Sequence, residues 1–112
     1  MQDSKAERVV NLSYIIGELA PHVAFKLDIQ GMDNCFEAAR RLGVKHTVFA
    51  SSLAVSGPQS KFGERLVDET DDRHGDKQYA VNKIYNEWQA LDYRRAYDMP
   101  ITCIRPANVT GP

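Results

Sequence analysis

The chain has 112 residues, a formal net charge of -1 at pH 7 and a sequence pI near 6.3. Its apolar content of 43% and charged content of 26% are those of one small globular domain. No basic stripe indicates a nucleic-acid partner, and no apolar run approaches the roughly 18 residues that a membrane helix needs. We therefore expect neither nucleic acid nor membrane among its partners.

Cysteine and histidine usage indicates the compartment and argues against a metal site. Cys35 and Cys103 are far apart, have apolar neighbours and match no metal-ligand spacing. We expect both to be buried thiols in a reducing compartment. The N-terminal residues contain no apolar signal core, so the expected location is the cytoplasm. The three histidines are scattered, and we expect no metal ligands.

The first half of the chain predicts a strand followed by a long helix. Residues 8–13 are typical of a short buried strand, and residues 14–20 connect it to a helix. Pro21 suits the first helical turn, the helix is expected to reach Leu42, and Gly43 is placed as a left-handed cap. Its apolar residues recur mostly at three- or four-residue spacing: Val23, Phe25, Ile29, Met32, Phe36, Ala39 and Leu42.

The second half predicts a strand, a long loop, a helix and a third strand. The second strand is predicted at residues 47–50 within the segment 44–51 and the third at 101–105, with the loop over 52–77 and the helix over 78–98. The apolar stripe expected on this helix consists of Val81, Ile84, Tyr85, Trp88 and Leu91. The order β-α-β-α-β predicts an α/β fold with a parallel sheet covered on both faces and right-handed crossovers.

The most informative stretch opens the second long helix. Tyr79 and Lys83 are four residues apart, so a helix places them on one face, off the centre of the apolar stripe. An ammonium beside a phenol favours the phenolate, and we expect Lys83 to lower the pKa of Tyr79 from its usual value of about 10. A tyrosine tuned in this way exchanges protons near neutral pH. On spacing alone, an exposed pair without a role is the alternative.

Further polar residues are expected at the same edge of the sheet. Ser51 and Ser52 end the second strand, and Asn108 follows the third. All three residues are therefore expected at the carboxyl ends of parallel strands, where ligands bind. A hydroxyl, a lysine-assisted phenol and an amide suit proton transfer at an alcohol or carbonyl. Such a site needs an electron acceptor that no side chain supplies, which indicates a hydride-carrying cofactor.

Four segments together resemble a known family. Residues 49–57 (FASSLAVSG), 79–83 (YAVNK, with Glu87 four further on), 105–112 (RPANVTGP) and 37–45 (EAARRLGVK) are similar in order and spacing to segments of extended short-chain dehydrogenases/reductases. Within that group the chain resembles the NAD-dependent epimerase/dehydratase family. The resemblance implies a partial Rossmann-like doubly wound parallel sheet and NAD or NADP as cofactor, with NAD favoured.

The resemblance also implies roles for single residues. Ser52 matches the catalytic hydroxyl residue, Tyr79 the catalytic acid/base, and Lys83 the lysine that holds the nicotinamide ribose and lowers the tyrosine pKa. Asp28 stands where the family usually has Asn. The implied cofactor-binding residues are Asn11, Ser13, Ser51, Tyr79, Lys83 and Pro106. The implied substrate-binding residues are Ser52 and Asn108.

The resemblance leaves the reaction open between two types. Sugar 4,6-dehydratases of this family place Asp-Glu directly after the catalytic hydroxyl residue. Leu53 and Ala54 stand there in this chain and can exchange no protons, so water elimination is disfavoured. An epimerase and a simple alcohol/ketone oxidoreductase remain, acting on a nucleotide sugar or a similar small molecule.

The sequence lacks the Gly-rich turn with which the family seats the cofactor pyrophosphate. We therefore expect residues 1–112 to be a single partial NAD(P)-binding domain. It would lack the N-terminal strand-turn-helix and the C-terminal substrate-binding part of the family, and on its own it would be marginally stable or prone to aggregate. The alternative function is a catalytically incompetent fragment or a non-catalytic nucleotide-sensing relative. The resemblance also implies a homodimer through the two long helices.

Overall fold

The computed structural model describes residues 5–12, 19–75 and 77–106 of the chain. Three strands and the long helical segments follow in the predicted β-α-β-α-β order. The bounds are β1 (Arg8–Asn11), α1 (Pro21–Ala24), a π-helical segment (Phe25–Gln30), α2 (Gly31–Leu42), β2 (His46–Ala50), α3 (Gln78–Tyr97) and β3 (Ile101–Ile104). The predicted strands and helices are all present, with ends displaced by a few residues.

The three strands form one parallel sheet in the order β1-β2-β3. Val9 lies opposite Thr47, and Thr47 lies opposite Ile101. Pairing continues beyond the end of β2, because the Ser51 N–H donates to the Ile104 carbonyl at 2.7 Å. The predicted α/β fold with a parallel sheet is confirmed.

The hydrophobic core lies between this sheet and the two long helices. Phe36 of α2 is fully buried and meets Phe49 of β2 edge-on, with ring centroids 5.4 Å apart. Tyr93 of α3 packs on the same Phe36 at 5.6 Å. The buried residues of the core are Met32, Phe36, Ala39, Val44, Phe49, Ala90, Met99 and Ile101. Both helices therefore cover one face of the sheet.

The opposite face of the sheet is not covered by any described segment. Val10, on this face of β1, is 62% exposed, and Ile104 on β3 is also exposed. The expectation of helices on both faces is therefore not met within the described residues. The two described helices lie on the same face because two sequential crossovers of the same hand, between strands in the order β1-β2-β3, place both on the same side. Marginal stability of the chain remains a prediction.

The helix over residues 21–42 has the predicted extent but contains a wide turn that the sequence did not indicate. The Gly31 N–H donates to the Lys26 carbonyl, five residues earlier, as in a π-helix. At its C-terminal end, Gly43 has the predicted left-handed conformation, with φ of 64°. The Val44 N–H donates to the Ala39 carbonyl and closes the cap.

The apolar stripe predicted for α3 is wrong as a description of its buried face. Val81, Tyr85 and Trp88 are about half exposed. The buried face of α3 consists instead of Ala80, Asn82, Lys83, Asn86, Glu87 and Ala90. The spacing of apolar residues predicts an apolar stripe, but it does not show whether that stripe packs against the sheet or faces solvent. On α3 the buried face is instead the one whose polar side chains have hydrogen-bond partners in neighbouring segments.

The cysteines and the helices bear on two further expectations. Both cysteines are free, but Cys35 is only partly buried and Cys103 is exposed, so the prediction of two buried thiols is wrong. Cys103 lies on β3, whose outer side is unpaired in the described part of the chain. None of the helices in the described ranges is both long and apolar enough to span a membrane.

The loop after β2 is shaped by short helical turns and by one glycine. Leu53–Ser56 and Gln59–Lys61 are single 3-10 turns. Gly57 has φ of 76°, and a side chain there would collide with the His74 carbonyl. The His74 N–H donates to the Val55 carbonyl at 2.8 Å. The far end of the loop is thereby held against the turn that follows β2.

Candidate active site

The two serines after β2 have different surroundings. Ser51 is buried, and its Oγ donates to Glu87 Oε2 at 2.6 Å. Ser52 is partly buried and caps the next turn, because its Oγ accepts from the Ala54 N–H at 3.1 Å. A hydroxyl that accepts this bond keeps its own proton as a donor. The hydroxyl of Ser52 therefore still has a proton to donate at the carboxyl end of β2, and its catalytic role stays a prediction.

Lys83 brings the start of α3 to the carboxyl end of β2. Its side chain is 2% exposed, and its Nζ donates to the Ala50 carbonyl at 2.7 Å. Burial lowers the pKa of Lys83 to about 8, although the nearby Asp28 carboxylate acts in the opposite direction. The Lys83 Nζ lies 5.8 Å from the ring centroid of Tyr79, which is half-buried. Tyr79 and Lys83 are thus together, one turn apart on α3.

The remaining predicted binding residues lie at the same edge of the sheet where the structure describes them. Asn11 ends β1, and its Nδ2 lies 3.7 Å from Met32 Sδ as a weak donor. Pro106 follows β3, and its carbonyl accepts from the Leu53 N–H at 3.2 Å. Their roles stay predictions. Ser13 and Asn108 lie outside the described residues.

Asp28, the departure from the family pattern, lies in the π-helical segment and faces α3. It is buried, and its Oδ2 lies 3.4 Å from Asn82 Nδ2. Asn86 Nδ2 donates to the Asp28 carbonyl at 2.9 Å, and Gln89 Nε2 donates to the Ile29 carbonyl at 3.1 Å. Side-chain amides of α3 thus satisfy carbonyls of the wide turn.

Glu87 is the residue whose importance the sequence reasoning missed. Its carboxylate accepts from Ser51, from Arg73 Nε at 2.9 Å, and from Arg105 Nε and Nη2 at 2.9 and 2.7 Å. Burial alone would raise the pKa of Glu87, but the hydrogen bonds from Arg105, Ser51 and Arg73 outweigh it and lower that pKa to about 2. We call Glu87 and its three partners, Ser51, Arg73 and Arg105, the Glu87 cluster. The available signal was the spacing of four from Lys83, which places Glu87 on the same helix face.

Comparisons with known proteins identify the family. The profile of the NAD dependent epimerase/dehydratase family matches residues 1–112. Protein CapI from Staphylococcus aureus is 31% identical over 114 residues, covering 98% of this chain and 34% of that protein. Uronate dehydrogenase from Pseudomonas syringae pv. tomato is 36% identical over 78 residues, covering 70% of this chain and 28% of that protein.

A solved structure shows the same fold. The UDP-glucuronic acid 4-epimerase from Bacillus cereus, in complex with NAD, superimposes with a TM-score of 0.82 at 21% identity, covering 95% of this chain and 34% of that chain. The chain spans about a third of the length of the curated relatives it matches. The profile match over the whole sequence, together with the shared fold, shows that the chain belongs to the NAD-dependent epimerase/dehydratase family.

Proposed function

We propose that this chain carries the catalytic side chains of an NAD(P)-dependent epimerase or oxidoreductase. Its substrate would be a nucleotide sugar or a similar alcohol or ketone. The observation that carries the proposal is the position of Lys83, buried at the carboxyl end of β2 and beside the ring of Tyr79. Family membership supports the same reaction type.

Each of three residues has a task that its surroundings support. Tyr79 takes the substrate hydroxyl proton and returns it, as a general base and acid. Ser52 donates its hydroxyl proton to the substrate oxygen and orients it. Lys83 remains largely protonated at pH 7 and presents its charge to the phenol, while the Ala50 carbonyl fixes its ammonium. Assistance of Tyr79 by Lys83 remains a prediction.

The donor set fits one end of a dinucleotide cofactor. An ammonium, a phenol and a hydroxyl at the edge of a parallel sheet match the hydroxyl and amide groups of a nicotinamide riboside. We propose Asn11, Ser51, Lys83 and Pro106 among the residues that hold it, with NAD favoured over NADP. When bound, the nicotinamide accepts or supplies the hydride that no side chain provides. The pyrophosphate end is assigned to no residue here, since the sequence has no Gly-rich phosphate turn.

We propose further that residues 1–112 are one partial NAD(P)-binding domain and that the protein works in the cytoplasm. The second candidate function is a chain that binds no cofactor and catalyses nothing on its own. The missing phosphate turn favours it for the isolated 112 residues. Calorimetry of this chain with NAD and NADP in parallel separates the two. Saturable binding supports an active site complete within these residues, and absence of binding to a folded sample supports the second candidate.

The reaction itself is tested on protein expressed from the complete gene. The names of two relatives contain a uronic acid, so UDP-glucuronic acid is the first substrate to supply, with NAD. Tyr79→Phe removes the proton-transferring hydroxyl and should lower kcat by about a hundredfold or more. Tyr97→Phe, at the other end of α3, is the matched control. Unchanged turnover in Tyr79→Phe would refute the catalytic assignment.

We also propose a homodimer through the two long helices. Exposed apolar side chains support it: Phe25 and Leu27 in the π-helical segment, and Val81, Tyr85 and Trp88 on α3. Patches of this kind on a small domain commonly mark interaction surfaces. Sedimentation of the wild type and of Trp88→Glu tests the proposal. A monomeric wild type would contradict it.

A further inference from the structure

We propose that Glu87 is a positioning residue for the reaction. Through Ser51, it holds the turn that carries Ser52 at a fixed distance from the helix that carries Tyr79 and Lys83. This inference rests on the proposed function, which supplies the roles of those three residues. Glu87 itself need touch neither substrate nor cofactor.

The contacts of Glu87 use both carboxylate oxygens. Oε2 accepts from Ser51 Oγ at 2.6 Å and from Arg105 Nε at 2.9 Å. Oε1 accepts from Arg73 Nε at 2.9 Å and from Arg105 Nη2 at 2.7 Å. Arg105 thus binds the carboxylate with two parallel bonds, the geometry that fixes orientation best. With the Glu87 side chain only 5% exposed, water cannot readily replace these partners.

Two of the partners lie directly before predicted site residues, and one of them, Ser51, is itself a proposed cofactor-binding residue. Ser51 precedes Ser52, and Arg105 precedes Pro106. The Pro106 carbonyl accepts from the Leu53 N–H at 3.2 Å, so the chain after β3 is tied to the turn after β2. Glu87 therefore joins α3 to both strand ends at the residues next to the site. A displacement of Glu87 would move Ser52 relative to α3.

The third partner brings the long loop into the same arrangement. Arg73 precedes His74, whose N–H donates to the Val55 carbonyl in the turn after Ser52. Gly57 closes this turn where only glycine fits against His74. The turn is consequently held from α3 through Ser51 and from the loop through His74. One carboxylate is common to both connections.

The negative charge of Glu87 is part of the arrangement. An amide in its place offers one acceptor oxygen and turns two protons toward groups that are themselves donors. It also leaves the Arg73 and Arg105 guanidinium groups without their counter-charge. Glu87→Gln is therefore expected to release at least one of the three segments, although the side chain keeps its shape.

The chain offers a matched control on α2. Glu37 also binds two arginines, Arg40 and Arg41, and these bonds likewise lower the pKa of Glu37 to about 2. No predicted site residue contacts Glu37 in the described structure. Glu37→Gln thus removes a comparable ion-pair cluster away from the site.

The kinetic test uses protein from the complete gene with NAD and UDP-glucuronic acid, well below its unfolding temperature. Glu87→Gln should lower kcat by about 10- to 100-fold, the range expected for a misplaced catalytic group, and Glu37→Gln should stay within about twofold of wild type. Ser51→Ala, which leaves both arginines paired, should lower kcat as well. The double variant should be no slower than the slower single variant, since both changes break the same connection. Unchanged kcat in Glu87→Gln or in Ser51→Ala overturns the proposal.

Hydrogen exchange supplies a readout that needs no turnover. Amides of residues 51–57 should exchange about tenfold faster or more in Glu87→Gln than in wild type, with no change in Glu37→Gln. Unchanged exchange overturns the proposal whatever the activity. The two proposals can fail separately. If the wild type shows no NAD-dependent turnover, the proposed function is refuted. If Glu87→Gln still speeds exchange in residues 51–57, Glu87 nevertheless holds the turn.

Discussion

Replacing Lys83 by methionine should change how the stability of the chain depends on pH. Burial lowers the pKa of Lys83 from 10.5 to about 8. The unfolded chain therefore binds this proton more tightly than the folded chain does between those values. The free energy of unfolding then rises with pH from about 8 to 10.5, whereas below pH 8 the cost of burying the charged ammonium is fully present and does not change with pH.

The size of this effect follows from the displacement of the pKa. The difference between 10.5 and about 8 corresponds to about 3 kcal/mol in total, of which about 2 kcal/mol falls between pH 7.5 and pH 10. Methionine has no titrating group and nearly the same length, so Lys83→Met should lose this pH dependence. Below pH 8 the variant avoids the cost of burying an ammonium, although the Ala50 carbonyl loses its donor.

Urea unfolding of the wild-type and variant chains at pH 7.5 and pH 10 measures the effect. The difference in unfolding free energy between the two chains should change by about 2 kcal/mol, equivalent to about 1 M in the urea midpoint. Lys26→Met, which removes an exposed lysine of the π-helical segment, is the control, and its unfolding free energy should change with pH as that of the wild type does. Parallel curves for Lys83→Met would refute the reasoning, because a buried ammonium cannot lack this dependence.

Three further predictions concern the packing around the site. Phe36→Ala should destabilise the chain by about 3–5 kcal/mol in urea unfolding, because Phe36 joins α2 to β2 and α3, whereas Leu42→Ala on the exposed side should cost less than about 1 kcal/mol. Gly57→Ala should speed tryptic cleavage of the loop far more than Gly63→Ala, since both glycines have positive φ but only Gly57 meets another residue; equal rates would contradict the collision with His74. The contribution of Glu87 to stability should be complete above pH 4.5 and be lost as the pH falls to about 2, so Glu87→Gln should unfold with a flatter acid profile than wild type.

The strands and helices could be predicted because their signals are local. β2 is β-branched and aromatic, and Gly43 stands directly after the last helical turn, where a left-handed cap is needed. Tyr79 and Lys83 could be paired because helical spacing brings residues four apart together. Each of these inferences needs only a few neighbouring residues.

The rest depends on partners that are distant in the sequence. The wide turn at Phe25–Gln30 exists where Asn86 and Gln89, 58 and 60 residues away from their acceptors, supply donors for its carbonyls. The role of Glu87 requires Arg73, from the long loop, and Arg105, which directly follows β3, and the two are 14 and 18 residues away from it in the sequence. The sequence shows which residue types are present, but it does not show that the long loop, α3 and the end of β3 come into contact at Glu87.

The buried polar face of α3 explains why the apolar stripe was misassigned. Lys83 reaches the Ala50 carbonyl, Asn86 reaches the Asp28 carbonyl, and Glu87 meets Ser51 and two arginines. Because these side chains find hydrogen-bond partners across the interface, much of their desolvation cost is offset and the face can be buried, although Asn86 Oδ1 has no partner among the described residues. The same helix thus carries the candidate catalytic pair and the contacts that orient the strand ends. A substitution on this face changes stability and site geometry together, so only variants paired with matched controls, such as Glu87→Gln with Glu37→Gln, can separate the two effects.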